Sequence, residues 1–169
     1  TMHYWVEVNK SNRQARRMAD RHYSFWNPNA TKMANEVGPP GQKIILITPD
    51  ETAVWGSHRP APWAGITRSD GLTGMFCFLY RNEGQGRKSS LLIREAVGFT
   101  ANRWGINDFW TYIGENHIRS DIPGYSFFRA RFHHHGWTES SKLGSLRRLH
   151  MRPHQVQRCL DEYLSDSYI

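Results

Sequence analysis

A chain of 169 residues fits one domain and can bury a real hydrophobic core. Hydrophobic residues make up 38% and aromatics 13%, with seven Trp, which argues against a disordered chain. The formal net charge of +7 favours polyanionic partners such as nucleic acids and phosphate-rich cofactors, depending on where the charges lie. No apolar run approaches the ~18 residues of a membrane span, and the N-terminus lacks the basic-then-apolar order of a secretion signal. Cys77 and Cys159 are far apart, and Cys77 sits in an apolar run where it reads as a small buried hydrophobe. A reducing, cytoplasmic setting is expected.

In chain order, Met2 to Val8 reads as a strand, with Tyr4, Val6 and Val8 on one face and Trp5 on the other. Asn9 or Ser11 can cap a helix running to about His22. Ala15, Met18, Ala19 and His22 follow helical spacing as an inward stripe. Arg13, Arg16, Arg17 and Arg21 make a basic ridge on another side. Residues 24–42 hold Asn-Pro and Pro-Pro-Gly and read as a long loop, a length that is often functional. Lys43 to Thr48 is a strand, Pro49-Asp50 turns the chain, and Thr52 to Ser57 returns as its hairpin partner. A second Pro/Gly-rich loop spans 58–72, and Gly74 to Tyr80 is an aromatic, apolar central strand.

A glycine turn at Gly84 and Gly86 then precedes a helix from Ser89 to Trp104, whose Leu92, Ile93, Ala96, Val97 and Trp104 form one apolar face. Phe109 to Ile113 is a strand, Pro123 to Phe132 a short helix, and 134–140 and 145–151 are strands. Pro153 opens a last helix with Val156, Cys159, Leu160, Tyr163 and Leu164 at core spacing. The order β-α-loop-β-β-β-α-β-α-β-β-α describes one mixed α/β domain over residues 1–169.

A central strand that ends in a glycine turn and feeds a helix suits phosphate binding. Glycines let backbone N–H groups approach an anion, and the helix dipole adds partial positive charge. Ser89 and Ser90 can cap the helix or donate hydroxyls, while Arg81, Arg87 and Lys88 add charge. The Walker pattern fails because Lys88 does not follow a glycine, and a dinucleotide fingerprint fails because position 89 is Ser. Arg81-Asn82-Glu83-Gly84-Gln85-Gly86 instead reads R-x-x-G-x-G. That segment resembles the acyl-CoA loop of the GNAT superfamily, between a fourth strand and the following helix. Phe109–Ile113 matches the family's fifth strand, and Gly124-Tyr125-Ser126 through Gly136-Trp137 its short helix and exit.

The resemblance implies a mostly antiparallel central sheet flanked by helices, with acetyl-CoA or another acyl-CoA held by Arg81 to Gly86, Ser89 and Ser90. It places Tyr125 where many such enzymes keep a Tyr that protonates the departing thiolate; a core aromatic is the other reading. Glu83 is read either as a base acting through water or as a brace for the turn.

His22-Tyr23-Ser24, taken with the loop and Ser89-Ser90, resembles a group of phage-associated GNAT-like proteins that includes the Mom family of DNA-modifying enzymes. That likeness implies DNA as partner and an adenine base as acceptor, with His22 and Tyr23 at the catalytic centre. It further implies iron near the His-Tyr pair with a carboxylate from the end of the fifth strand. This chain has Gly114-Glu115 where an Asp is expected, so His22 and Glu115 are the metal candidates. The basic ridge would track a DNA backbone, and Trp26 and Trp63 would stack on a base. The alternatives are a conventional acetyltransferase acting on a small-molecule or protein amine, and a non-catalytic nucleic-acid-binding module on the same scaffold. His133, His134 and His135 read as surface histidines, since no Cys or close Asp completes a metal set.

Overall fold

The computed structural model describes residues 3–21, 36–61, 71–84, 87–114, 124–138 and 146–168. Among them lie β1 (Val6–Val8), α1 (Arg13–Asp20), β2 (Gln42–Ile47), β3 (Ala53–Arg59), β4 (Met75–Asn82) and α2 (Ser89–Trp104). They are followed by β5 (Phe109–Ile113), α3 (Tyr125–Arg129), β6 (His133–Trp137), β7 (Arg147–Met151) and α4 (Pro153–Ser165). The strands form one sheet in the order β1-β2-β3-β4-β5-β7-β6. Every described pairing is antiparallel except β4 with β5. A parallel pair cannot be joined by a tight turn, so α2 serves as the crossover between them.

Side-chain alternation sorts the sheet into two faces. Ile44, Leu46, Trp55, Met75, Cys77, Phe109, Ile113, Leu149 and Met151 turn to the side of α2 and α4 and make the main core. Ile45, Ile47, Val54 and Leu79 turn the other way, where α1 buries Ala15, Met18 and Ala19. Ala15, Met18 and Ala19 of the helical stripe expected from the sequence are therefore the packed face of α1, and His22 lies outside the described residues.

One interruption matters for everything built on β4. Gly56 pairs with Leu79 but the next residue, Ser57, pairs with Cys77, so Phe78 is an extra residue in the strand. Such a bulge inverts the alternation beyond it. Cys77 lies in the α2-side core, Leu79 lies in the α1-side core, and Tyr80 returns to pack on the α2 side. Tyr80 and Asn82 thus reach the start of α2 only because Phe78 is there.

The α2 helix is buried nearly all round, and two acidic side chains fasten neighbours to it. Glu95 is fully buried and accepts backbone N–H bonds from His3 (3.0 Å), Tyr4 (2.9 Å) and Trp5 (3.2 Å). Glu162 of α4 pairs with Arg94 of α2 at 3.4 Å and also with Arg131. On the sheet side, the hydroxyl of Ser57 donates to Thr100 Oγ1 at 2.8 Å, because the Thr100 proton goes to the Ala96 carbonyl.

Helices α2 and α4 touch at Gly98. A methyl there would lie 2.5 Å from the Cys159 carbonyl oxygen and 2.7 Å from Tyr163 Cβ. Gly98→Ala is expected to destabilise the fold by about 1–3 kcal/mol from overpacking, outweighing the roughly 1 kcal/mol that alanine offers a helix interior. A urea midpoint equal to or above that of the parent chain would contradict this.

Several element bounds differ from the sequence reading, each for a local reason. The first strand starts at Val6 rather than Met2, because the N–H groups of residues 3–5 bond to the Glu95 carboxyl and not to a strand. Val6, on the face expected to carry Tyr4 and Val8, is 47% exposed, while Trp5 on the other face is buried and donates its indole N–H to the Leu92 carbonyl at 2.7 Å. The first helix ends at Asp20, short of His22. The short helix after Gly124 covers only Tyr125–Arg129, starting where the left-handed Gly124 redirects the chain. Leu164 is 60% exposed, since α4 turns Val156, Cys159 and Tyr163 towards α2.

Candidate active site

The ladder between β4 and β5 holds three pairs and ends at Cys77↔Thr111. Beyond it β4 runs on to Asn82 beside β3, and β5 runs on to Ile113 beside β7. The two strands therefore part into a V. Its apex is pinned by the Thr111 hydroxyl, which donates to the Cys77 carbonyl at 3.1 Å. The α3 helix bridges the arms on the α2 side. Phe127 meets Tyr80 of β4 edge-on at 5.7 Å, and Gly124 sits against Ile113 of β5. Tyr125, the first residue of α3, follows Gly124 and is 52% exposed.

The β4 arm leads into the turn singled out in the sequence. Tyr80 donates its phenol proton to Ser89 Oγ at 2.6 Å, and Asn82 Nδ2 donates to the same oxygen at 3.1 Å. With both acceptor positions filled, the Ser89 hydroxyl has its own proton left to donate. Burial pushes the Tyr80 phenol above its ordinary range, which keeps it protonated as a donor. Asn82 Oδ1 also accepts the Gly84 N–H at 3.0 Å. Gly84 passes so close to β3 that a Cβ would lie 2.5 Å from Thr52 Oγ1. Asn82 thus organises the turn from within.

The start of α2 is open to an anion. Its N-cap residue, Lys88, makes no side-chain capping bond, and the first turn holds no acidic residue. The first helical N–H groups and the dipole are therefore unopposed by carboxylate. Ser89 and Ser90 occupy the first two helical positions rather than a capping position. Arg87 pairs with Asp50 at 2.9 Å, which holds the Asp50 carboxyl well below its usual range.

The arginines differ from a simple phosphate clamp. Glu83 accepts two bonds from Arg21, both at 2.9 Å, and is also bonded by Arg81, whose Nη1 donates to the Arg21 carbonyl at 3.0 Å. These bonds hold the Glu83 carboxyl below its usual range. A carboxylate engaged by two guanidiniums is a brace, not a poised base. The same network ties the end of α1 to the turn through Arg21, whose side chain is paired with Glu83 and remains exposed. Arg13 and Arg17 are exposed and Arg16 is half-buried.

His22, Tyr23, Trp26, Trp63, Gln85, Gly86 and Glu115 lie outside the described residues. Among the described residues no group of three or more His, Cys, Asp or Glu is placed to hold a metal ion. No helix there is long and apolar enough to cross a membrane. Burial raises the Cys77 thiol to about 12, consistent with a small core residue rather than a nucleophile.

Two site features escaped the sequence reading. Tyr80 was visible only as a core aromatic, because nothing in the sequence marks the bulge that aims it at Ser89. Asp108, Trp110 and His150 come together on the opposite face of the sheet, although the sequence separates them. Trp110 and His150 are direct cross-strand partners, their rings stacked at 4.1 Å, and His150 Nε2 lies 2.6 Å from Asp108 Oδ1. His135 stands edge-on to both rings, whereas His133 meets Gln155 of α4 at 2.9 Å.

No protein-family model matches this sequence, and no curated protein does. Solved structures do share its fold. Spermidine/spermine N-acetyltransferase SpeG from Vibrio cholerae, solved with manganese ions, aligns with 97% of this chain and 96% of its own at 7% identity and a TM-score of 0.51. A chimera of the Vibrio cholerae spermidine N-acetyltransferase SpeG and hSSAT aligns over 68% of each chain at 6% identity and a TM-score of 0.47. The first likeness shows a shared GNAT fold, in agreement with the mixed, mostly antiparallel sheet flanked by helices.

Proposed function

We propose that this protein is an acyl-CoA-dependent N-acyltransferase acting on the amine of a small molecule, with acetyl-CoA as the donor. The observation that carries the reading is the V between β4 and β5, opening directly beneath an uncapped α2 N-terminus. Its two parts suit the two parts of such a donor. The N–H groups of the first turn of α2, the Ser89 hydroxyl and Lys88 suit a pyrophosphate. The parted strand edges suit an extended chain carrying amides, which can pair as an added strand. Bound there, acetyl-CoA supplies an acyl group activated as a thioester. The shared fold with spermidine N-acetyltransferases supports the class of reaction by analogy alone.

The protein's own contribution is positioning. Asn82 and Tyr80 hold Ser89, Glu83 and Thr52 hold the turn, and α3 closes the V on one side. The acceptor approaches from the other face of the sheet. Tyr125, exposed at the start of α3, is assigned the role of returning a proton to the leaving thiolate. Calorimetry with acetyl-CoA, followed by a thiol-release assay over a panel of amines, tests the reading. It expects binding in the micromolar range and thiol release that depends on an amine. Neither binding nor release at millimolar acetyl-CoA would refute it.

A second reading keeps the DNA base as acceptor. It is favoured by Arg13 and Arg17, which stand exposed on α1 on the acceptor side of the sheet. Nucleoside mass spectrometry of DNA incubated with the protein and acetyl-CoA separates the two readings. In the DNA reading, iron at His22 and Glu115 remains a proposal for residues outside those described.

A further inference from the structure

Elsewhere in this chain guanidiniums meet carboxylates: Arg87 meets Asp50, Arg103 meets Glu7 and Arg131 meets Glu162. Arg148 does not. It is half-buried in β7, and its Nε is shut off from solvent with no hydrogen-bond partner among the described residues. The side chain stands over the Tyr112 ring, with the guanidinium carbon 6.0 Å from the centroid. A ring eases the charge but leaves the N–H donors unfilled. A guanidinium has no escape through losing its proton, and an unfilled buried donor costs stability. Such a group calls for an acceptor from outside the chain.

The register of the sheet says where that acceptor would lie. Leu149 and Met151 turn to the α2 side, so Arg148, which alternates with them, turns to the other. Arg148 pairs with Tyr112, and Tyr112 follows the last residue of β5 that is joined to β4. The residue is therefore level with the opening of the V, one strand from its β5 edge, on the face from which the acceptor approaches. Adjacent strands lie ~5 Å apart, so an amine within the V and a group on Arg148 are separated by roughly 5–10 Å. Over the same face, α1 carries Arg13, Arg16 and Arg17 against one acid, Asp20, and Asp108 at the foot of β5 is engaged by His150 at 2.6 Å. A second ammonium on the acceptor would be repelled here. A carboxylate or phosphate would be held, since the guanidinium fork matches the oxygens of either.

We propose that the acceptor carries its amine at one end and an anionic group at the other, and that Arg148 binds the anion. This rests on the acyltransferase reading and narrows its substrate class from amines at large to anionic amines, polyamines excluded. The anion is a carboxylate, as in an amino acid, or a phosphate monoester, and the experiment separates these sources. Arg148 sets specificity by holding the far end of the acceptor and takes no part in the transfer itself.

The test uses the full chain with acetyl-CoA and reads thiol release with probes of matched length: hexylamine, 6-aminohexanoate, hexane-1,6-diamine and 6-aminohexyl phosphate. One or both of the anionic probes are expected to exceed hexylamine and the diamine at least tenfold in kcat/KM, through KM rather than kcat. The better of the two identifies the anion as carboxylate or phosphate. Arg148→Met, which keeps the stem, is expected to bring that ratio near one, and Arg148→Lys to keep part of it. Arg148→Glu is expected to invert the order in favour of the diamine, a gain that no misfolded variant can imitate. Circular dichroism confirms that each variant is folded. Hexylamine or the diamine used as well as the anionic probes overturns the inference and leaves the acyltransferase reading standing. So does an anionic preference that survives Arg148→Met, or a loss in that variant equal for all four probes. Thiol release with none of the probes overturns both.

Discussion

Glu95→Ala is expected to destabilise the protein by about 3–5 kcal/mol, a large fraction of a small domain's total stability. The carboxyl of Glu95 is fully buried in α2 and accepts three consecutive backbone N–H bonds, from His3, Tyr4 and Trp5. Truncation leaves three amides without their acceptor, and a buried donor left unsatisfied costs about 1–3 kcal/mol. The sum is not additive, because the segment can move and recover water. It cannot move freely, however: the Trp5 indole is held at 2.7 Å to Leu92 in the main core. Glu95→Gln keeps the shape but replaces one acceptor oxygen by a donor, so its loss should fall between those of the parent and Glu95→Ala. Urea unfolding monitored by tryptophan fluorescence measures both. A Glu95→Ala midpoint within about 0.5 kcal/mol of the parent would show that the three bonds contribute little.

The second large effect concerns binding rather than folding. Gly84→Ala is expected to weaken acetyl-CoA about tenfold to a hundredfold, and Gly84→Trp to abolish its binding, with little change in thermal midpoint. Any Cβ at this position meets Thr52, 2.5 Å away at Oγ1 and 3.1 Å at Cβ. The turn must then swing away from β3 and take the first N–H groups of α2 with it. Overpacking of this kind costs about 1–3 kcal/mol, the equivalent of the affinity loss stated. The double variant Gly84→Ala with Thr52→Gly removes the obstacle and should regain most of the affinity. Calorimetry on the four proteins of this cycle reads the coupling directly. Additive losses, with no recovery in the double variant, would mean that the close approach of Gly84 to Thr52 is not what sets the affinity, and no loss in Gly84→Ala would mean that the turn does not bind the donor.

Much of this architecture is written in local pattern. The helix Ser89–Trp104 and the strand Phe109–Ile113 have the same limits in the sequence and in the structure, and each is followed directly by a glycine, Gly105 and Gly114. The R-x-x-G-x-G turn was legible for a similar reason: glycine is tied to a close approach, here to Thr52. The hidden features depend on register and long-range pairing. An extra residue in β4 leaves no mark in composition, since Phe78 is as good a strand residue as its neighbours. Glu83 and Arg21 are 62 positions apart, so their bond has no periodic signature. Trp110 and His150 lie 40 positions apart, and only the pairing of β5 with β7 brings their rings together. The strand expected from Met2 onward is described only from Val6, because a buried carboxyl outcompetes a sheet edge for the N–H groups of residues 3–5.

The extra residue at Phe78 has a consequence for how this chain can change through descent. Substitutions along β4 are read one side chain at a time, but a change in its length is read by every residue beyond the change. Deleting one position between Cys77 and Tyr80 would exchange the faces of Tyr80, Arg81 and Asn82 at once, sending the partners of Ser89 towards α1 and the Glu83 brace towards α2. Lineages of this chain can therefore diverge widely in residue identity while the residue count from Cys77 to Ser89 stays fixed. Sequence likeness would then fade well before the spacing does.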